Sequence, residues 1–269
     1  MPVPPLVART TARYLALADA EAPGLVAGLY LEGSVALDDY RPDVSDIDFV
    51  AVTAEPPDPA TLAALGRVHA RLADQQPRPF FDGTYLTWDD LAAGPATTTG
   101  RPVILEGRFE PAGGDQSPVT WHTLAQSGGP DIATIDVWTD AAALAAWQNT
   151  NLDDYWARGL TAATRLLSKN GLGLLTDYGT VWTVTGIARL HYSIITDEIT
   201  SKDGAAMYAR EHFPQRWHKL IDEALRLRRN SSQRSSYWTR FARRRDILEF
   251  GRTVIADAHA AYARRYSGG

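Results

Sequence analysis

The chain has no cysteine and only two methionines in 269 residues. That excludes disulfides, thiol catalysis and any cysteine-based metal centre. Lysine is nearly as scarce, with residues 169, 202 and 219 set against 24 arginines. No apolar run is long enough to cross a bilayer. The start, MPVPPLVARTTARYLALADA, lacks the basic segment and long apolar stretch of a secretory leader. A cytoplasmic protein without membrane contact is therefore expected. No internal repeat or low-complexity tract stands out, so a solenoid is not indicated.

What is present is ordinary in amount and uneven in placement. Hydrophobic residues make up 45% of the chain, enough for one large or two medium cores. The net charge is −5, but residues 1–150 carry −12 and residues 151–269 carry +7. The plain reading is two solvated surfaces of different bias. The functional reading is a cleft with one acidic wall for metal and a cationic substrate, and one basic wall for polyphosphate.

Gly33-Ser34 followed by Asp46-Ile47-Asp48, inside LYLEGSVALDDYRPDVSDIDFVAV, is the most informative pattern. Leu25 to Leu31 has strand length, and Glu32, Gly33 and Ser34 end it. Asp46 to Val52 reads as a second strand. Side chains alternate along a strand, so Asp46 and Asp48 share a face. Adjacent carboxylates repel unless a cation sits between them, and Mg2+ suits an all-oxygen set. Gly33 permits close backbone approach, and Ser34 offers a hydroxyl and an amide to a phosphate oxygen.

The spacing of Leu62, Leu65, Val68 and Leu72 predicts a helix over residues 59–75, and Leu6 to Asp19 reads as another. Arg78 to Thr87 is a third strand candidate, broken at Gly83, and Val103 to Leu105 a short further one. Residues 92–102 and 111–118 are loop-like, and Thr120 to Gly129 is ambiguous. From Ala141 onward the pattern is helical, with breaks near 171–173, 214 and 230–235. Leu160, Ala163, Leu166, Leu167, Leu220, Ile221 and Leu225 read as bundle core, and most tryptophans as packing residues. The expected fold class is α+β, with a small mixed sheet and helices over 1–148 and a helical bundle over 149–269.

GSVALDDYRPDVSDIDFVAV resembles the signature of the polymerase β-like nucleotidyltransferases. Within them the chain is similar to the aminoglycoside adenylyltransferases of the streptomycin/spectinomycin type. RLHYSIITDEITSKDGAAMYAREHFP, Arg189 to Pro214, resembles the second domain of those enzymes. The likeness is strongest at 25–52 and 185–214 and weak between 92 and 150.

The resemblance implies roles for particular residues. Asp46 and Asp48 would hold Mg2+. Gly33, Ser34 and Ser45 would meet the nucleotide phosphates, joined by Arg189 and Lys202 from the helical half. An arginine suits a planar bidentate contact and a lysine a point charge. Asp82 stands where the family has a catalytic glutamate, one methylene longer, and is expected to be the general base. The acceptor side departs further from the family. Gly179 and Trp182 align with the family's acidic and polar contacts, Asp177 lies close by, and Phe109 replaces a pocket tryptophan. Phe109, Asp177 and Trp182 are thus the expected substrate contacts. Arg228 stands where a tyrosine stacks near the nucleotide.

The expected activity is transfer of AMP from ATP to a hydroxyl of a small molecule, with an aminoglycoside or aminocyclitol as leading acceptor. ATP is the co-substrate, nucleic acid is not an expected partner, and a monomer is favoured. The alternatives are transfer to a protein or an RNA, with the arginines of 226–245 as its basic surface, and a regulator that binds nucleotide without turnover.

Overall fold

The alternation in DIDFVAV produces a strand with two differently buried faces, and the first half of the chain is built around it. In chain order come α1 (Pro5–Glu21), β1 (Gly28–Glu32), the single turn α2 (Gly33–Ala36), β2 (Ile47–Thr53), α3 (Pro59–Gln75), β3 (Phe81–Thr87), α4 (Trp88–Ala93), β4 (Val103–Leu105), β5 (Arg108–Glu110) and α5 (Pro118–Ser127). The computed structural model describes residues 3–129 and 131–266. It divides into two units, Met1–Thr139 and Asp140–Gly269. The strands of the first unit form one sheet in the order β1-β2-β3-β4-β5. β2 and β3 are parallel, with α3 between them in the chain, and the other neighbours are antiparallel.

Ile47, Phe49 and Ala51 pack on one side of the sheet with Val7 and Tyr14 of α1 and Leu65 and Val68 of α3. Val50 and Val52 pack on the other side with Leu91 of α4 and Trp121 and Leu124 of α5. The helix starts are chemically marked. Asp58 accepts the N–H of Thr61 at 2.8 Å ahead of Pro59. Thr87 and Asp90 form a reciprocal capping box at α4. Residues 120–129, ambiguous in sequence, fall mostly in α5, which Ser117 caps through the N–H of Val119.

Gly83 does not break the third strand. It pairs opposite Phe49 in the middle of β3, and a β-carbon there would overlap the Phe49 carbonyl oxygen. The glycine serves close approach of two strands, not a turn. β5 was not expected either, since three residues carry too little pattern to announce a strand.

The second unit is helical: α6 (Ala141–Asn151), a π-type turn over Leu152–Ala157, α7 (Arg158–Ala163), α8 (Lys169–Gly173), α9 (Asp177–Thr196), α10 (Lys202–His212), α11 (His218–Arg228) and α12 (Arg240–Tyr266). α9 is the central helix, with Val184, Ile187, Ala188 and Ile194 fully buried. Trp156 and Trp217 are core, as expected, while Trp238 is 99% exposed. Leu167, expected in the core, is 85% exposed, because α7 ends at Ala163 and the apolar stripe ends with it.

Candidate active site

The register of the central strands lines up carboxylates. Glu32 pairs with Asp48 across β1 and β2, and Asp48 pairs with Asp82 across β2 and β3. Side-chain alternation puts all of them on the α5 side of the sheet. Val50 and Val52 share the face of Asp48, Leu86 that of Asp82, and Tyr30 that of Glu32, and these residues all pack in the cluster under α5. Asp46 lies one residue ahead of β2, and Arg78 reaches its carboxylate at 3.4 Å.

Gly33 begins α2 directly after β1, with a left-handed φ of +57°. A β-carbon there would overlap the carboxylate of Asp48. The turn thus delivers backbone against the acidic row, which no other residue type permits. One residue on, the Ser34 hydroxyl is enclosed and has no hydrogen-bond partner among the described residues.

The electrostatics show crowding. Burial, and then the charge of Asp48, push Glu32 up to about 8, against a hydrogen bond from the Thr120 side chain. Its Oε2 is sealed from solvent and accepts no hydrogen bond among the described residues. Burial also raises Asp82, and the charges of Asp46 and Glu106 add to the rise. Two backbone N–H groups oppose it. Glu106 donates to Oδ2 of Asp82 at 2.8 Å and Gly107 donates to Oδ1 at 2.9 Å. The β4–β5 turn therefore pins the carboxylate, while each oxygen keeps a further lone pair. Hard oxygen donors, mutual repulsion and an unmet Glu32 oxygen together fit a divalent cation such as Mg2+.

Sequence reasoning passed over Glu32, reading it only as the end of a strand. A single terminal residue carries no periodicity, and its meaning comes from the β1–β2 register. The signal that could have found it is an acidic side chain on an apolar strand immediately before Gly33-Ser34.

Two other expected residues have protein partners of their own. The Ser45 hydroxyl accepts the N–H of Arg41 at 3.1 Å and closes its own turn. Phe109 stacks on His69 at 5.8 Å with rings nearly parallel, packed on the α1/α3 core. Both have local structural work that accounts for their positions.

In the second unit, Trp182 stacks on Tyr178 at 5.9 Å and donates its indole N–H to Tyr155 at 3.3 Å. The ammonium of Lys202 lies 5.3 Å from the Trp182 ring. Lys202 opens α10 and Arg189 lies in α9, so the structure brings Lys202 and Trp182 together. Arg228 is buried and pairs with Asp203 at 3.0 Å, next to Lys202. Asp177 accepts a hydrogen bond from Arg243 at 2.8 Å. Arg243 continues to Glu223 at 3.2 Å, and Glu223 to Arg226 at 2.8 Å. Asp177, itself exposed, is thus the open end of an ion network whose centre, Arg243 and Glu223, is buried.

Residues 16–79 match the nucleotidyltransferase domain family, and residues 144–264 match the aminoglycoside adenylyltransferase C-terminal domain. The chain belongs to the polymerase β-like nucleotidyltransferases of the aminoglycoside adenylyltransferase type. It is an adenylyltransferase-class enzyme. Among solved structures it is similar to the spectinomycin adenyltransferase AAD(9) from Enterococcus faecialis, with a TM-score of 0.60 over 92% of this chain and 98% of that one. Identity there is 12%, so the likeness is one of fold. No curated protein sequence matches the chain. The carboxylate row and the Gly33-Ser34 turn lie within or beside the segment that matches the nucleotidyltransferase domain, and Asp82 stands just beyond it. No helix among the described residues is long and apolar enough to cross a membrane.

Proposed function

We propose that this adenylyltransferase moves AMP from ATP to a hydroxyl of an aminoglycoside- or aminocyclitol-like small molecule, with Mg2+ held by Asp46 and Asp48. The observation that carries the reading is the alignment of Glu32, Asp48 and Asp82 on adjacent strands, with Gly33 pressed on Asp48. Bound there, Mg2+ supplies neutralisation of the triphosphate and of the leaving pyrophosphate.

The chain's own residues do the rest. Gly33 and Ser34 present an amide and a hydroxyl to a phosphate oxygen where the turn after β1 lies against Asp48. Asp82, held by the N–H groups of Glu106 and Gly107, takes the proton from the acceptor hydroxyl as it attacks the α-phosphorus. Its raised pKa makes it a better base than a solvated aspartate. For Arg189 and Lys202 as phosphate contacts, the support is the family resemblance.

The acceptor class is supported by the aminoglycoside adenylyltransferase match over 144–264 and by the fold-level likeness to an enzyme solved with ATP and spectinomycin. The half-exposed Trp182, stacked on Tyr178, offers a flat apolar face to a ring. Asp177 is exposed but shares one carboxylate oxygen with Arg243, which offsets part of the charge it offers a cationic acceptor.

A thermal-shift screen tests the proposal with ATP, Mg2+ and a panel of aminoglycosides and aminocyclitols. ATP and one acceptor should raise Tm together by more than the sum of their separate effects. A panel with no such acceptor removes the antibiotic-like substrate and leaves the nucleotide chemistry to be tested separately.

A further inference from the structure

The second unit contains a side-chain cluster that the transfer reaction does not use. His191 of α9, His212 at the end of α10 and Asp257 of α12 each offer one ligand atom, and these atoms all lie within 4.8 Å of one another. His191 Nε2 is 2.8 Å from Asp257 Oδ2, and His212 Nε2 is 3.6 Å from the same oxygen. The consecutive helices α9 and α10 and the more distant α12 therefore bring two imidazole nitrogens and one carboxylate oxygen together.

The three ligands differ in exposure. The His191 side chain is fully buried, while His212 and Asp257 are 38% and 44% exposed. One side of the cluster is thus sealed and the other is open. The open side faces a groove of about 490 Å³ lined by His212, Phe213, Pro214, Thr253 and Asp257, with room for water or another ligand. His191 Nδ1 is 2.9 Å from the Tyr208 hydroxyl. Metal-binding histidines characteristically engage their second ring nitrogen in such a hydrogen bond, which fixes the ring and its tautomer.

We propose that His191, His212 and Asp257 form a zinc-class divalent metal site that ties α9, α10 and α12 together. Two neutral imidazoles and one carboxylate suit Zn2+, with the remaining positions open to the groove. Tetrahedral zinc with bonds of about 2.0–2.2 Å keeps its ligand atoms about 3.3–3.5 Å apart. The two histidine-to-carboxylate spacings, 2.8 and 3.6 Å, bracket that value, and all three ligand atoms lie within 4.8 Å, so modest side-chain rotations complete the site. Without metal, Nε2–H of His191 donates to Asp257 and Nδ1 accepts from Tyr208. With metal, the ring proton moves to Nδ1 and donates to the Tyr208 oxygen, leaving the Nε2 lone pair for the ion. The imidazole stays neutral throughout, so the step balances without a further reactant.

The site is independent of the acidic row in the first unit and differs from it in chemistry. Nitrogen donors favour Zn2+ and Co2+ over Mg2+. Its expected effect is on the packing of α9 with its neighbours. α9 carries Arg189 and Trp182, and α10 begins at Lys202.

The test uses tag-free, chelator-stripped full-length protein. Zn2+ should bind at one ion per chain at micromolar concentration and raise Tm by about 5 °C or more at a hundredfold excess over Kd. Co2+ should give visible bands of a low-symmetry nitrogen–oxygen site, and Mg2+ should give neither effect. His212→Ala and Asp257→Asn alter the exposed ligands, so both variants should fold, with metal-free Tm near that of the native chain, and lose the zinc shift and the cobalt bands. Absence of stoichiometric Zn2+ binding to the native protein would overturn the proposal. So would variants that bind Zn2+ and Co2+ as the native protein does, since the ion would then sit elsewhere.

Discussion

Gly33 lies against Asp48 so closely that any β-carbon at position 33 would overlap the carboxylate. Its φ of +57° adds strain for other residues. Gly33→Ala should therefore push Asp48 out of the row. The expected loss is about 100-fold or more in kcat/KM, or about 3 kcal/mol of transition-state stabilisation. Far-ultraviolet circular dichroism should remain native, because the change sits at a turn outside the core. Steady-state kinetics on the soluble variant check this.

Glu32 gives a pH signature. Its folded-state pKa is raised to about 8 from 4.5. The folded state thus holds a proton that the unfolded chain releases, and stability from this group is lost as pH rises from about 4.5 to 8. Glu32→Gln removes that slope. In Mg2+-free buffer, the variant's Tm minus that of the native chain should increase steadily from pH 5 to pH 8.5. A pH-independent offset from burying an amide cancels in this comparison. Saturating Mg2+ should flatten the trend, since a cation relieves the same repulsion.

Asp82 is held by two backbone N–H groups and so has a structural task as well as a proposed chemical one. Asp82→Asn should lower kcat by about 10²- to 10⁴-fold with nucleotide affinity nearly unchanged. Asp82→Glu, which restores the base on a longer arm, should recover part of the rate. Separate measurement of kcat and of ATP affinity distinguishes a base from a turn anchor, because loss of the turn alone would lower stability and binding without selectively lowering kcat.

The ion network of the second unit is a stability element. Burial raises the Glu223 carboxyl, but hydrogen bonds from Arg226, Ser235 and Arg243 hold it below the usual range. Arg243 and Glu223 expose only 4% and 1% of their side chains. Arg243→Met leaves Glu223 paired with Arg226 and Ser235 but removes a charged hydrogen-bond donor, so it should cost about 1.5–3 kcal/mol of unfolding free energy. Chemical denaturation should show the loss, and Arg243→Lys should recover part of it.

Much of this was legible from residue order. The period-two pattern of DIDFVAV marked β2 and the side of Asp48, and Pro59 with its apolar spacing marked α3 to the residue. What stayed hidden depends on partners distant in sequence. Glu32 matters because β1 pairs with β2 in one register and not another. Gly83 reads as a breaker until Phe49 is seen beneath it. The stacking of Phe109 on His69 is likewise a tertiary fact. His191 and Asp257, 66 residues apart, share no local pattern, and only helix packing brings them together.

The central claim is that the acidic row on β1, β2 and β3 transfers AMP. Its most direct measurement follows ATP labelled at the α-phosphorus into products, with an aminoglycoside and aminocyclitol panel, in the native chain and in Asp48→Asn. The account predicts Mg2+-dependent appearance of label on one acceptor with equimolar pyrophosphate, abolished in the variant. Label transfer that survives Asp48→Asn undiminished, or that proceeds equally well in chelator, would contradict it.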